Sequence, residues 1–284
     1  MGKSDSDYKA ALKHQYRVEP GGETVPGVTT VQSIIEKPAF KWTSSEIAAN
    51  AVLDTYDKQA EIVATHREWL KSGKPDRKKF DLAENGSDRE VYVHWARGEF
   101  DRQWKAKASR GNRVHAIAEA WARGESPEVN IEDNGYVDAL ERFYKTYKPK
   151  FHHVECIVLN AELRYGGRFD FIAELDGPGA SGYFMGDFKT TGGYYADSVA
   201  VQEIAYMKAG MPTYDDEGAL QHIALPEVVE GARVVQLRED GTVGMYDPFA
   251  IVSQEDAWSM FKASLDLFNL NKRIQQQLKE GEYE

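Results

Sequence analysis

Apolar positions follow two periods along the chain, one helical and one extended. Over Ser44–Gln59 (SSEIAANAVLDTYDKQ) they recur at helical spacing behind a serine cap, with Glu46 in the first turn, and this predicts a helix. A second helix is predicted over Glu61–Leu70. Lys71–Asp88 (KSGKPDRKKFDLAENGSD) mixes Gly, Pro and Asn with five basic residues before Phe80 and reads as an exposed loop. Helical spacing returns at Arg89 and runs to about Arg123, with one break near Gly111.

The period then shortens to two. His153–Ala161 (HVECIVLNA) is β-branched and apolar. Arg168–Leu175 alternates, with Phe169, Phe171, Ala173 and Leu175 on one face and Arg168, Asp170, Ile172 and Glu174 on the other. After the turn-rich DGPGASG, the run YFMGDFKT sets Phe184 and Phe188 on one face and Met185, Asp187 and Lys189 on the opposite one. A helix is expected from about Asp197 to Ala209, then two strands, ARVVQLRED and TVGMYDP, around an Asp-Gly hairpin signal. Glu255–Glu280 is amphipathic, with Trp258, Phe261, Leu265, Phe268 and Leu278 near one stripe. The order predicts an α/β core over residues 111–250, a mainly helical N-terminal extension over 1–110 packed on it, and a C-terminal helix over 251–284.

With 284 residues, 42% of them hydrophobic, the chain can bury a sizeable core as one large α/β domain with insertions or as two domains. The single cysteine, Cys156, excludes an intrachain disulfide framework, a four-cysteine zinc site and a cysteine-ligated iron–sulfur cluster. His152 and His153 stand beside it, but without a partner cysteine no zinc site is expected there. Neither a signal-like N-terminus nor a membrane-length apolar run is present, so the expectation is a soluble cytoplasmic protein with no membrane partner. No G-x-x-x-x-G-K-[ST] run occurs, so any helicase motor would be a separate chain.

Thirty-five basic residues against 46 acidic give a net charge of -11, which argues against a generic polyanion binder and leaves nucleic-acid contact to local patches. One candidate joins Arg97, Arg102, Lys105, Lys107, Arg110 and Arg113, opposed only by Glu99 and Asp101 and interleaved with Trp95 and Trp104. Such a segment holds phosphates with its cations and stacks unpaired bases on its rings. Lys71, Lys74, Arg77, Lys78 and Lys79 form a second candidate. The alternative for both is a solvated helix face or loop, with the tryptophans, like Trp42, in the core.

Asp170 and Asp187 fall mid-strand, where aspartate is disfavoured, and the short turn between the strands makes them neighbours in a sheet. Two carboxylates held that close repel unless a cation lies between them, and oxygen ligation of this kind suits Mg²⁺ or Mn²⁺. Lys189 shares the Asp187 face and brings an ammonium to an attacking water or a developing oxyanion, the parts that phosphodiester hydrolysis needs. The plain alternative is an Asp187–Lys189 ion pair on a solvated sheet face.

Gly167-Arg168-Phe169-Asp170, Asp187-Phe188-Lys189-Thr190 and the helix Gln202-Glu203-Ile204-Ala205-Tyr206 stand in this order, behind GNRVHAIAEA with His115 and a strand with Glu155. In this set the chain resembles the PD-(D/E)XK nuclease superfamily, in particular its RecB-like exonucleases. The likeness covers about Gly111–Met207, and VPGVTTVQSIIEKPAFKW resembles the opening of phage-encoded exonucleases of this type. Phe169 stands where the family's motif has proline, and the four cysteines of the iron–sulfur branch are missing, so that cluster is not expected.

The resemblance implies a restriction-endonuclease-like αβββαβ core and a Mg²⁺- or Mn²⁺-dependent DNA exonuclease, in phage or bacterial recombination, repair or DNA processing. It implies metal ligation by Asp170, Asp187, the Phe188 carbonyl and His115, with Glu155 as a further ligand or water orienter. Lys189 would position and activate the water, and Gln202 and Tyr206 would steady the site or touch the phosphate backbone. Partners would be DNA, single- or double-stranded, and a separate recombinase, single-strand-binding protein or helicase. An endonuclease of the same superfamily, and a non-catalytic DNA-binding protein on the same fold, remain the alternatives.

Overall fold

The computed structural model describes residues 11, 13–19, 22–34, 38–72, 76–190, 196–214, 220–223 and 229–280, without the side chains of 38–42, 196, 212–214 and 220–223. In chain order the elements are β1 (Tyr16–Arg17), β2 (Thr24–Val25), α1 (Val28–Gln32), α2 (Pro38–Asp54), α3 (Gln59–Lys71), α4 (Arg77–Asn85), α5 (Asp88–Arg97) and α6 (Glu99–Ala122). Then follow α7 (Asn134–Tyr147), β3 (Lys150–Asn160), β4 (Tyr165–Gly177), β5 (Ala180–Lys189) and α8 (Ala196–Met207). The chain closes with β6 (Met211–Tyr214), β7 (Leu220–Ile223), β8 (Gly231–Leu237), β9 (Val243–Tyr246) and α9 (Gln254–Glu280). Two units result, Met1–Ile35 with Gly111–Glu284, and Glu36–Arg110.

The first unit is α/β, built on a five-stranded mixed sheet of order β3-β4-β5-β8-β9, antiparallel except for the parallel β5–β8 pair. A parallel pair needs a crossover, and α8 lies in the one between β5 and β8. Gly179, at φ +70°, sits in the tight β4–β5 turn, a backbone conformation that costs glycine little. Between β8 and β9 the turn uses Gly241 at φ +79° and Asp240, whose carboxylate accepts from the Thr242 N–H at 2.9 Å.

Helices cover both faces of the sheet. On one, Phe171, Ala173, Leu175, Phe184, Phe188, Val235 and Leu237 pack against Val114, Ile117 and Ala118 of α6 and Tyr136, Ala139, Leu140 and Phe143 of α7. On the other, Val158, Phe169, Ile172, Met185 and Ala232 meet α1, α8 and α9 through Val31, Ile204 and Phe261 among others. The alternation read along β5 is therefore the one observed, but Phe169 lies on the opposite side from the one expected. The β4–β5 ladder starts at Phe171↔Gly186, so β4 is already released from β5 at Phe169, and the ring turns to meet Tyr206.

The N-terminal segment also belongs to this unit. Tyr16, Val18 and Val25 form a cluster with Ile157 and Leu159 of β3, and the Gly166 N–H donates to the Pro26 carbonyl at 3.0 Å. The extension expected over 1–110 as mainly helical thus begins with the β1–β2 pair, packed on β3. Of the C-terminal stripe, Phe261 and Leu265 are buried, whereas Leu278 is exposed near the end of α9.

The second unit is a small helical cluster around Val63, Leu70, Ala83, Val91 and Tyr92. Its α4 replaces the expected loop: Asp76 caps the helix by accepting from the Lys78 and Lys79 N–H groups, and Ala83 is buried against the cluster. Ser87 and Glu90 then form a capping box that starts α5. The break between helices falls at Gly98, while α6 runs unbroken through Gly111. Trp42 lies outside the described side chains.

His66 is buried in this unit, 2.9 Å from His94 through their ring nitrogens, and stacks on Trp69. Burial, then the neighbouring His94 and Arg102, push its pKa down to about 4 from 6.5. The folded chain thus favours neutral imidazole, and this contribution to stability is complete above about pH 6.5 and is lost as pH falls toward 4. Thermal melts followed by tryptophan fluorescence are expected to show falling stability across that window, with a shallower fall in His66→Leu. Among the described residues, no helix is long and apolar enough to cross a membrane.

Candidate active site

Five elements of the sheet unit carry the residues singled out by the sequence: α6 holds His115, β3 Glu155, β4 Asp170, β5 Asp187 and Lys189, and α8 Gln202 and Tyr206. Pairing of Phe171 with Gly186 sets Asp170 opposite Asp187 one step further on, where the ladder has ended. There the Asp170 side chain takes over from the missing backbone partner. Its Oδ2 accepts from the Phe188 N–H at 2.6 Å, and the carboxylate also faces His115 Nδ1 at 3.2 Å. The Phe188 carbonyl leaves the same strand edge as this N–H.

Asp187 is buried and pairs with the Lys189 ammonium, which donates in turn to Gln202 Oε1 at 3.5 Å. Gln202 donates through Nε2 to the Tyr206 hydroxyl at 3.1 Å, so one helical turn of α8 lays a polar chain against Lys189. The alternative of a solvated ion pair is corrected by this burial. Gly167 is required by Tyr206: a Cβ on it would lie 2.4 Å from Tyr206 Cε1. Gly167→Ala should therefore destabilise the fold by about 1–3 kcal/mol and loosen the Tyr206–Gln202 arm, as measured by denaturant unfolding.

The charges in this cluster split its carboxylates. Burial opposes ionisation of Asp170, yet His115, Lys189 and the Phe188 N–H together hold its pKa below the ordinary value. Burial, with Asp170 adding repulsion against the pull of Lys189, raises Asp187. Lys189 is raised too, because Asp187 and Glu203 outweigh the effect of burial, so it stays an ammonium at neutral pH. His115 is raised by Asp170 despite burial. Glu155 is pushed to about 7 by burial, opposed by Arg168, whose Nε lies 2.8 Å away, and reinforced by Asp170. It occupies a left-handed backbone position at φ +56° inside β3.

Glu203, inside the Gln202–Tyr206 motif but not one of its two named positions, joins this cluster. It is fully buried, neither of its oxygens has a hydrogen-bond partner among the described residues, and it feels Asp187 and Lys189. The signal was available: a charge set among Val199, Ala200, Val201, Ile204 and Ala205, all buried.

Among the described residues, no group of three or more His, Cys, Asp or Glu side chains is disposed as a ready metal-ligand set. The donor chemistry nonetheless fits a hard divalent cation. Both Glu203 oxygens are buried acceptors without a hydrogen bond, Asp187 Oδ2 meets the Lys189 ammonium, and Asp170 lies beside them in the same electrostatic cluster.

The basic candidates are distributed differently. Residues 101–109 are all exposed, among them Lys105, Lys107 and Trp104, and Arg97 is exposed on α5. Trp104 stacks on Phe100. Arg102 lies 4.9 Å over the Trp95 ring and binds Glu99, while Arg110 is half-buried. Arg113 is engaged by the fully buried Asp133 at 2.8 Å and by Glu132 at 3.0 Å, a structural use of its guanidinium. In the second patch Arg77 and Lys78 are exposed, Lys71 pairs with Glu84, Lys79 lies over Trp69, and Lys74 falls outside the described residues. His152 and His153 are exposed while Cys156 is buried.

No protein-family model matches the chain, and no curated protein matches it significantly.

Proposed function

We propose that the chain is a Mg²⁺- or Mn²⁺-dependent deoxyribonuclease with a restriction-endonuclease-like core, acting as an exonuclease. The observation that carries this reading is the meeting of Asp170, Asp187 and Lys189 in one cluster around the buried Asp187, closed by His115 and Gln202. The order α6, β3, β4, β5, α8, β8 supports it, since it reads α-β-β-β-α-β once α7 and the β6–β7 pair are set aside.

Asp170 and Asp187, with the Phe188 carbonyl, would hold the cation. When bound, such an ion polarises a phosphoryl oxygen and eases deprotonation of water. His115 and the Phe188 N–H hold the Asp170 carboxylate in place and ionised. Lys189 keeps its proton, so its part is to orient the attacking water and to face the negative charge that grows on the phosphate. Gln202, fixed by Tyr206, steadies the Lys189 side chain. Exposed Lys105, Lys107 and Trp104 are suited to hold a DNA strand.

The test is digestion of linear single- and double-stranded DNA beside a covalently closed circle, with Mg²⁺ or Mn²⁺ and with EDTA as control. Degradation of a linear substrate that spares the circle is expected. Cleavage of the circle would make the enzyme an endonuclease, and inertness toward all three substrates would end the nuclease reading.

A further inference from the structure

Glu203 has no structural reason to be a carboxylate. Its neighbours Val199, Ala200, Val201, Ile204 and Ala205 are apolar and buried, and a leucine there would continue the surface that they form. Instead the helix buries an acid whose two oxygens meet no donor among the described residues, a costly arrangement unless something else satisfies them. The surrounding charges identify that something. Glu203 adjoins Gln202, whose side chain meets Lys189, and its pKa is held well above the ordinary carboxylate range by burial first and then by Asp187, against the pull of Lys189, so its carboxylate belongs to the same enclosed cluster. A divalent cation held by Asp170 and Asp187 would bring to this cluster the partner that the Glu203 oxygens lack.

We propose that Glu203 is a third carboxylate of the divalent-cation site, required for the cation to bind tightly. This rests on the reading that Asp170 and Asp187 hold such a cation, and it adds a residue that the D-x-K and Q-x-x-x-Y positions do not include. It also explains why an unpartnered acid is tolerated in the core: a group that binds a ligand is kept at the expense of stability.

The test uses the full chain, calorimetric titration with Mn²⁺, and thermal melts in EDTA and in Mn²⁺. Glu203→Gln, which keeps shape and removes charge, should weaken Mn²⁺ binding by about 10–100-fold. Glu203→Leu should melt at a higher temperature than the wild type in EDTA and lose most of the rise that Mn²⁺ gives the wild type. Unchanged Mn²⁺ affinity in Glu203→Gln, or a lower melting temperature in EDTA for both variants, would overturn the proposal while leaving Asp170 and Asp187 as ligands. A wild type that binds no Mn²⁺ would overturn the cation reading itself, and this one with it.

Discussion

Replacing Lys189 with alanine is expected to slow DNA hydrolysis by about 10²–10⁴-fold while leaving Mn²⁺ affinity undiminished. The reason lies in what its ammonium touches. It pairs with Asp187, reaches Gln202 and feels Glu203, so it is surrounded by groups that keep it charged and fixed. A preorganised cation beside the reacting phosphate stabilises charge that exists only as the bond breaks, so its loss falls on turnover. Its loss also removes the positive charge that competes with a divalent cation for Asp187. Single-turnover digestion at saturating Mn²⁺, with DNA affinity measured in Ca²⁺, separates the effects. A loss of DNA or Mn²⁺ binding as large as the loss of turnover would make Lys189 a structural residue.

Asp187→Ala is expected to abolish both calorimetric Mn²⁺ binding and detectable hydrolysis. Asp187 is the most enclosed of the three residues the sequence pointed to and lies between Lys189 and Asp170 in the electrostatics of the cluster. Without it, Asp170 has only Glu203 to share a cation with, while Lys189 turns to Glu203 as its counter-ion. Losing the electrophilic assistance of a bound metal forfeits several kcal/mol of transition-state stabilisation, or at least about 10³ in rate. Asp170→Asn should have a milder effect on binding, because the amide keeps an oxygen acceptor for the Phe188 N–H.

How much of this could be read from the sequence depended on whether the signal was local. The β4–β5 hairpin and the facing of Asp187 and Lys189 follow from alternation and a turn, both properties of adjacent residues. Asp170 was found for the same reason, but its bond to the Phe188 N–H was not, because it exists only where two strands separate. The side change of Phe169 has the same origin. The α4 helix was hidden because its charges and the nearby Gly and Pro outweighed one cap, Asp76, and one buried residue, Ala83. At Gly111 the sequence suggested a break, yet α6 continues through it, and a Cβ there would meet Thr190 Oγ1 at 3.2 Å. Arg113 read as a phosphate contact because its partner Asp133 lies twenty residues on and is buried only by the fold. The four-residue β6 and β7 are too short to leave a periodic trace.

The central claim is that one carboxylate pair, Asp170 and Asp187, makes this chain a cation-dependent phosphodiester hydrolase. It is tested most directly by digesting end-labelled linear DNA with wild type and Asp187→Ala in parallel, across a Mn²⁺ titration. The predicted result is release of nucleotides by the wild type that rises with Mn²⁺ and stops with EDTA, and no release by Asp187→Ala at any concentration. Equal digestion by the two proteins, or digestion that persists in EDTA, would contradict it.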